Sequence, residues 1–141
     1  MMAEASPLTD KDRLDIQDLL AHYVKYLDTG DLDGYVSLFA PDAVLFDRHK
    51  GRETIRAYVR TVIERKKTEP GTRLHFMSPA AIDGAGDHAT AYSYLLWVTT
   101  GASPCPVGAG ARYDDTLVKH AGRWMFQSRG LTRTAEFAAT T

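Results

Sequence analysis

Residues 72–100 read TRLHFMSPAAIDGAGDHATAYSYLLWVTT. Branched and aromatic residues dominate this stretch, and the junction Gly84-Ala85-Gly86-Asp87 divides it as a short hairpin connection would. The same texture returns at 111–120 and 124–133, parted by Ala121-Gly122-Arg123. The spacing predicts four long antiparallel strands over 72–82, 88–99, 111–120 and 124–133. Residues 101–110, with two prolines and three glycines, make a longer loop of the kind that can cover a pocket mouth.

Upstream of residue 72 the periodicity is helical. Thr9 with an acid at Asp12 forms an N-cap signal, and Ile16, Leu19, Leu20, Tyr23 and Leu27 then recur on one face, predicting a helix from about Asp10 to Asp28. Gly30 is a stop. Asp31 caps a shorter helix with Leu32, Tyr35, Val36 and Phe39 inward and Pro41 at its end. A short strand is expected at 43–46, and a third helix carries Ile55, Tyr58, Val59, Val62 and Ile63, closing on Arg65-Lys66-Lys67. The dipole favours cations at a helix C-terminus, so this basic run is read as a solvated face. Helices followed by long strands predict an α+β fold, a curved antiparallel sheet with helices on one face. Without repeats or composition breaks, residues 1–141 read as one domain with an ordered core over about 8–133.

Seventeen basic and eighteen acidic residues leave a formal charge of −1, which argues against nucleic acid or an anionic membrane as partner. The start of the chain lacks a secretory pattern and no apolar run reaches membrane-spanning length, so the expectation is a cytoplasmic protein. Cys105 stands alone between two prolines and is read as an incidental loop residue. The five histidines show no metal-binding spacing, and His22, His49, His88 and His120 are assigned no role.

Two polar residues break an apolar register. Asp28 closes the first helix, and His75 alternates with large apolar residues in Arg73-Leu74-His75-Phe76-Met77, where Arg73, His75 and Met77 share one strand face. A carboxylate accepting from one imidazole nitrogen fixes the tautomer and stabilises the imidazolium formed when the other nitrogen takes a proton. Tyr92, Tyr94, Trp97 and Tyr113 on central strands are read as core, with pocket lining as the alternative. Asp114 and Asp115 alternate faces, and an ion pair with Arg112 or Arg129 is the structural reading of the inward one.

Tyr23-x4-Asp28-x-Gly30-Asp31, then Leu38-Phe39-Ala40-Pro41-Asp42-Ala43-Val44, His75, Gly110-Ala111-Arg112-Tyr113-Asp114-Asp115 and Trp124-x-Phe126-x2-Arg129 occur in this order. Together they resemble the SnoaL-like branch of the nuclear-transport-factor-2-like superfamily, from about Leu8 to Arg133. The resemblance implies a cone-shaped α+β barrel whose N-terminal helices close an internal apolar cavity, and a homodimer or homotrimer. It also implies an Asp–His pair at Asp28 and His75, as in dehydratases and dehydrohalogenases of the branch. Tyr23 and Arg129 match a Tyr and an Arg of bile-acid dehydratase-like members; dehydrochlorinase-like members have Lys at the position of Tyr23. Tyr23 and Asp28 nevertheless point about 140° apart on an ideal helix.

These residue types support proton abstraction by His75, carbonyl polarisation or leaving-group protonation by Tyr23, and charge stabilisation by Arg129. The expectation is a lyase, a dehydratase acting on a hydrophobic cyclic compound such as a polyketide, steroid or terpenoid, with no metal or organic cofactor. An isomerase or polyketide cyclase would use the same base. A non-catalytic ligand-binding or subunit-assembly module is the alternative class, because fold does not decide function.

Overall fold

A computed structural model describes residues 3–101 and 103–136. Helix α1 (Asp10–Thr29) starts with a full capping box between Thr9 and Asp12 and ends at Gly30, whose φ of 78° turns the chain out of the helix. Asp31 then caps α2 (Leu32–Ser37), accepting from the Gly34 amide at 2.8 Å. Strand β1 (Phe39–Leu45), a two-residue β2 (His49–Lys50) and helix α3 (Arg52–Lys66) complete the first half. The second half is β3 (Thr72–Met77), β4 (Ala81–Ala85), β5 (His88–Thr100), β6 (Val107–His120) and β7 (Arg123–Glu136).

The strands form one curved, unclosed sheet in the order β2-β1-β7-β6-β5-β3, with β4 also paired to β5. Four features depart from the sequence reading. The expected strand 72–82 is two strands, because Pro79 has no amide to donate to the ladder. Long β5 pairs with both pieces, and Ser78 bridges the gap: its Oγ accepts from the Tyr94 amide, and its own amide donates to the Tyr94 carbonyl. The second helix stops at Ser37, and Pro41 lies inside β1, where the ladder to β7 is irregular. In addition, β1 runs parallel to β7, so the sheet is mixed. A parallel pair requires a long connection, which α3 and the intervening strands supply. The loop expected over 101–110 is also shorter, since β6 begins at Val107; residue 102 lies outside the described residues.

Helix α1 packs its apolar stripe, Ile16, Leu19, Leu20, Tyr23 and Leu27, on the concave sheet face against β7 and its neighbours. Each such side chain contributes about 1.5–3 kcal/mol on burial. The start of the helix is pinned by Asp12, which accepts from Trp124 Nε1 and Lys119 Nζ, both at 3.0 Å, as well as from Thr9. The concave face thus meets α1 at its centre, and a cavity opens between the far end of α1, α3 and the strands. No helix among the described residues is long and apolar enough to cross a membrane.

Candidate functional site

Asp28 lies in the last turn of α1, where the helix dipole disfavours a carboxylate, and α1 has no cation in that turn to offset it. Its compensation comes from two other elements. His75 on β3 donates from ring Nδ1 to Asp28 Oδ1 at 2.6 Å and from its own backbone amide to Oδ2 at 2.9 Å. Lys66, at the end of α3, donates to Oδ1 at 3.1 Å. Burial pushes the Asp28 carboxyl up, but these three donors outweigh it and leave the group below the ordinary carboxylate value. Side-chain exposures of 12% for Asp28, 7% for His75 and 14% for Lys66 make this a largely desolvated cluster.

With Nδ1 committed to Asp28, the lone pair of the neutral ring lies on Nε2. His75 lines a cavity of about 330 Å³. Its interior is aromatic, formed by Tyr23, Tyr35, Phe46, Tyr58, Trp97 and Tyr113, with Leu27, Val59, Val62 and Leu131 between the rings. Tyr23, Tyr35 and Tyr113 are the deepest of these. Burial raises the phenols of Tyr35 and Tyr113 well above the ordinary value, with Tyr23 beside both adding to the effect, so they remain protonated donors at neutral pH.

The angular difficulty between Tyr23 and Asp28 resolves simply. Tyr23 lines the cavity itself, whereas Asp28 stands behind His75 and reaches the cavity through the imidazole. Arg129 on β7 is fully buried and donates two 2.7 Å hydrogen bonds to Asp115 of β6. Its guanidinium lies 3.8 Å from the Tyr113 ring centre and 4.1 Å from that of Tyr23. Burial pushes the Asp115 carboxyl up against the pull of Arg129, while Asp115 holds the guanidinium firmly protonated. Arg129 Nη1 has no hydrogen-bond partner among the described residues. Asp114, on the opposite face, pairs with Arg112.

Of the four aromatics read as core, Trp97 and Tyr113 line the cavity, whereas Tyr92 and Tyr94 point outward because even-numbered residues of β5 face away from the helices. Lys66 lines the cavity as a largely buried group, against the solvated-face reading of this run; Arg65 lines it too while remaining exposed, and Lys67 turns outward to Glu64. Lys66, Tyr35, Phe46 and Tyr58 are site residues that the sequence reading had assigned to a solvated face, to helix packing or to a short strand. The signal available for Lys66 was an acid at the wrong end of a helix, which calls for a cation from elsewhere. Cys105 is exposed, its thiol donating to the Thr99 carbonyl. Among the described residues no group of three His, Cys, Asp or Glu side chains is placed to hold a metal ion.

A SnoaL-like domain model matches residues 10–130. No curated protein matches. Among solved structures, a Nostoc punctiforme protein of unknown function with a cystatin-like fold is 28% identical, with 90% of this chain and 94% of that one covered and a TM-score of 0.77. A Catenulispora acidiphila protein solved in complex with S-DNPA is 30% identical over 89% of this chain and 95% of its own, with a TM-score of 0.73. ActVI-ORFA from Streptomyces coelicolor, 23% identical over 92% of this chain and all of its own (100%), shares the fold with a TM-score of 0.75. With a model matched along most of its length and the same curved sheet in its structural neighbours, the chain belongs to the SnoaL-like domain family.

Proposed function

We propose that the protein is a lyase, a dehydratase that uses His75 as general base on a hydrophobic cyclic ketone, and that it works as a homo-oligomer without a cofactor. The observation that carries this reading is the 2.6 Å bond from His75 Nδ1 to a desolvated Asp28, on the wall of an aromatic cavity. Nε2 takes a proton from the carbon next to the substrate carbonyl; Asp28 stabilises the imidazolium formed. The enolate oxygen is met by phenol donors, Tyr23 foremost. Collapse of the enolate expels the β-hydroxyl, which leaves as water with a proton returned from the imidazolium or Tyr23. Arg129 acts through the rings: its charge favours ionisation of the Tyr35 and Tyr113 phenols and so strengthens them as donors. It is a positioning residue in this scheme, not a direct ligand.

The family includes polyketide cyclases and isomerases, which can share the proton-abstraction step. Product mass separates the outcomes, since only elimination lowers it by one water. A panel of β-hydroxy cyclic ketones followed by mass spectrometry tests the proposal. His75→Ala is expected to cut water loss by at least about 10²–10⁴-fold, with a circular dichroism spectrum close to wild type. A His75→Ala variant that retains turnover overturns it.

A further inference from the structure

The cavity has an uneven charge lining. Arg65, Lys66, Arg73 and Arg133 all contribute to its wall, whereas among the described residues no Asp or Glu side chain does. The chain as a whole carries a formal charge of only −1, so this concentration is local. Arg65, Arg73 and Arg133 are exposed and therefore stand at the mouth, while Tyr23, Tyr35 and Tyr113 are buried at the floor. Three of the cations are oriented by neighbours: Lys66 by Asp28, Arg73 by Glu69 at 3.0 Å, and Arg133 over the Trp97 ring at 5.3 Å. The Arg65 guanidinium makes no hydrogen bond or ion pair among the described residues. The helix dipole explains why α3 ends in cations, but not why Arg73 and Arg133 arrive at the same rim from two strands.

We infer that this rim binds an anionic oxyacid group, a carboxylate or phosphate, carried by the substrate whose ring system fills the aromatic interior. The inference rests on the cavity being the substrate site proposed above. Guanidinium groups present paired donors that match the oxygens of such a group, and with Lys66 and Arg73 already paired to acids, Arg65 supplies the uncompensated charge at the mouth among the described residues. The substrate then enters rings first, with its charged end held at the surface and its carbonyl directed toward the phenols. Arg65 is the principal anion ligand, and Arg133 supports it.

Calorimetric binding of 2-naphthoate, 2-naphthyl phosphate and the neutral isostere 2-naphthamide tests this without any turnover. At low salt one of the two anions is expected to bind at least about tenfold tighter than the amide. That preference should shrink in 0.5 M salt, as screening requires, and fall to within about twofold in Arg65→Gln and in the Arg65→Gln/Arg133→Gln pair. Comparison of the two anions tells carboxylate from phosphate recognition. His75→Ala should keep the preference, so failure of the catalytic reading leaves this result intact. Equal binding of anions and amide, a preference that survives the double variant, or no anion binding at millimolar concentration overturns the inference.

Discussion

At Asp28 an unfavourable helix position and partial burial are opposed by three donors, and the donors win. The sign of the consequence follows. A carboxyl whose folded value lies below its unfolded value of about 3.9 contributes stability that is present above that pH and lost as pH falls through the folded value. The difference in urea midpoint between wild type and Asp28→Asn is therefore expected to shrink as pH falls below about pH 4; a difference that grows between about pH 4 and about pH 2 would refute the depressed value. Asp115 presents the opposite balance, since its own burial outweighs the pull of its fully buried partner Arg129. Asp115→Ala strands that cation and is expected to cost about 3–5 kcal/mol in denaturant melts, whereas Asp115→Leu with Arg129→Met restores most of the loss. If Arg129 strengthens the phenol donors as proposed, the restored double variant stays impaired in turnover. Asp28 and His75 were legible as residue types breaking an apolar register. Lys66 was not, because nothing local distinguishes a lysine that bends toward an acid 38 residues away from one that meets water.

At the scale of elements, the turn before β3 decides where His75 stands. Gly71 has a φ of 74°, and a Cβ there would lie 2.4 Å from the Thr100 carbonyl oxygen, which is backbone and cannot step aside. Gly71→Ala is expected to destabilise by more than about 1 kcal/mol and to lower activity as β3 shifts, measured by thermal melts and turnover. Gly122 provides the contrast: its φ is 76°, but nothing lies within 4 Å of the added atom. Gly122→Asn, which tolerates the left-handed region, should change stability by less than about 0.5 kcal/mol. Helix limits and caps were readable because they depend on neighbours three and four residues apart. The break at Pro79 was readable in principle, since a proline inside a strand pattern demotes it. The parallel pairing of β1 with β7 was not, because it joins segments separated by most of the chain.

Over the whole molecule, the outer sheet face leaves Phe76 57%, Tyr94 54% and Leu96 42% exposed, with Phe76 and Leu96 directly paired across β3 and β5. Clustered exposure of this kind marks an interaction surface. The proposed homo-oligomer should form through this face: Leu96→Lys with Phe76→Ser is expected to give a monomer in sedimentation, and an unchanged assembly would place the contact elsewhere. Local grammar was legible in the chain alone: the side-chain caps of α1 and α2, the opposite faces of Asp114 and Asp115 on β6, and the α+β order, whereas the outward turn of Tyr92 and Tyr94 on β5 was not. These follow from backbone periods of 3.6 and 2.0 residues, which short windows reveal. The tertiary structure was needed to show that Asp28 reaches the cavity through His75, that of the two arginines offered by the sequence it is Arg129 that pairs with the inward Asp115, and that four cations line one cavity. Each of those depends on the register between distant strands and helix ends, and that register is settled by burying one core in common rather than by any residue's neighbours in the chain.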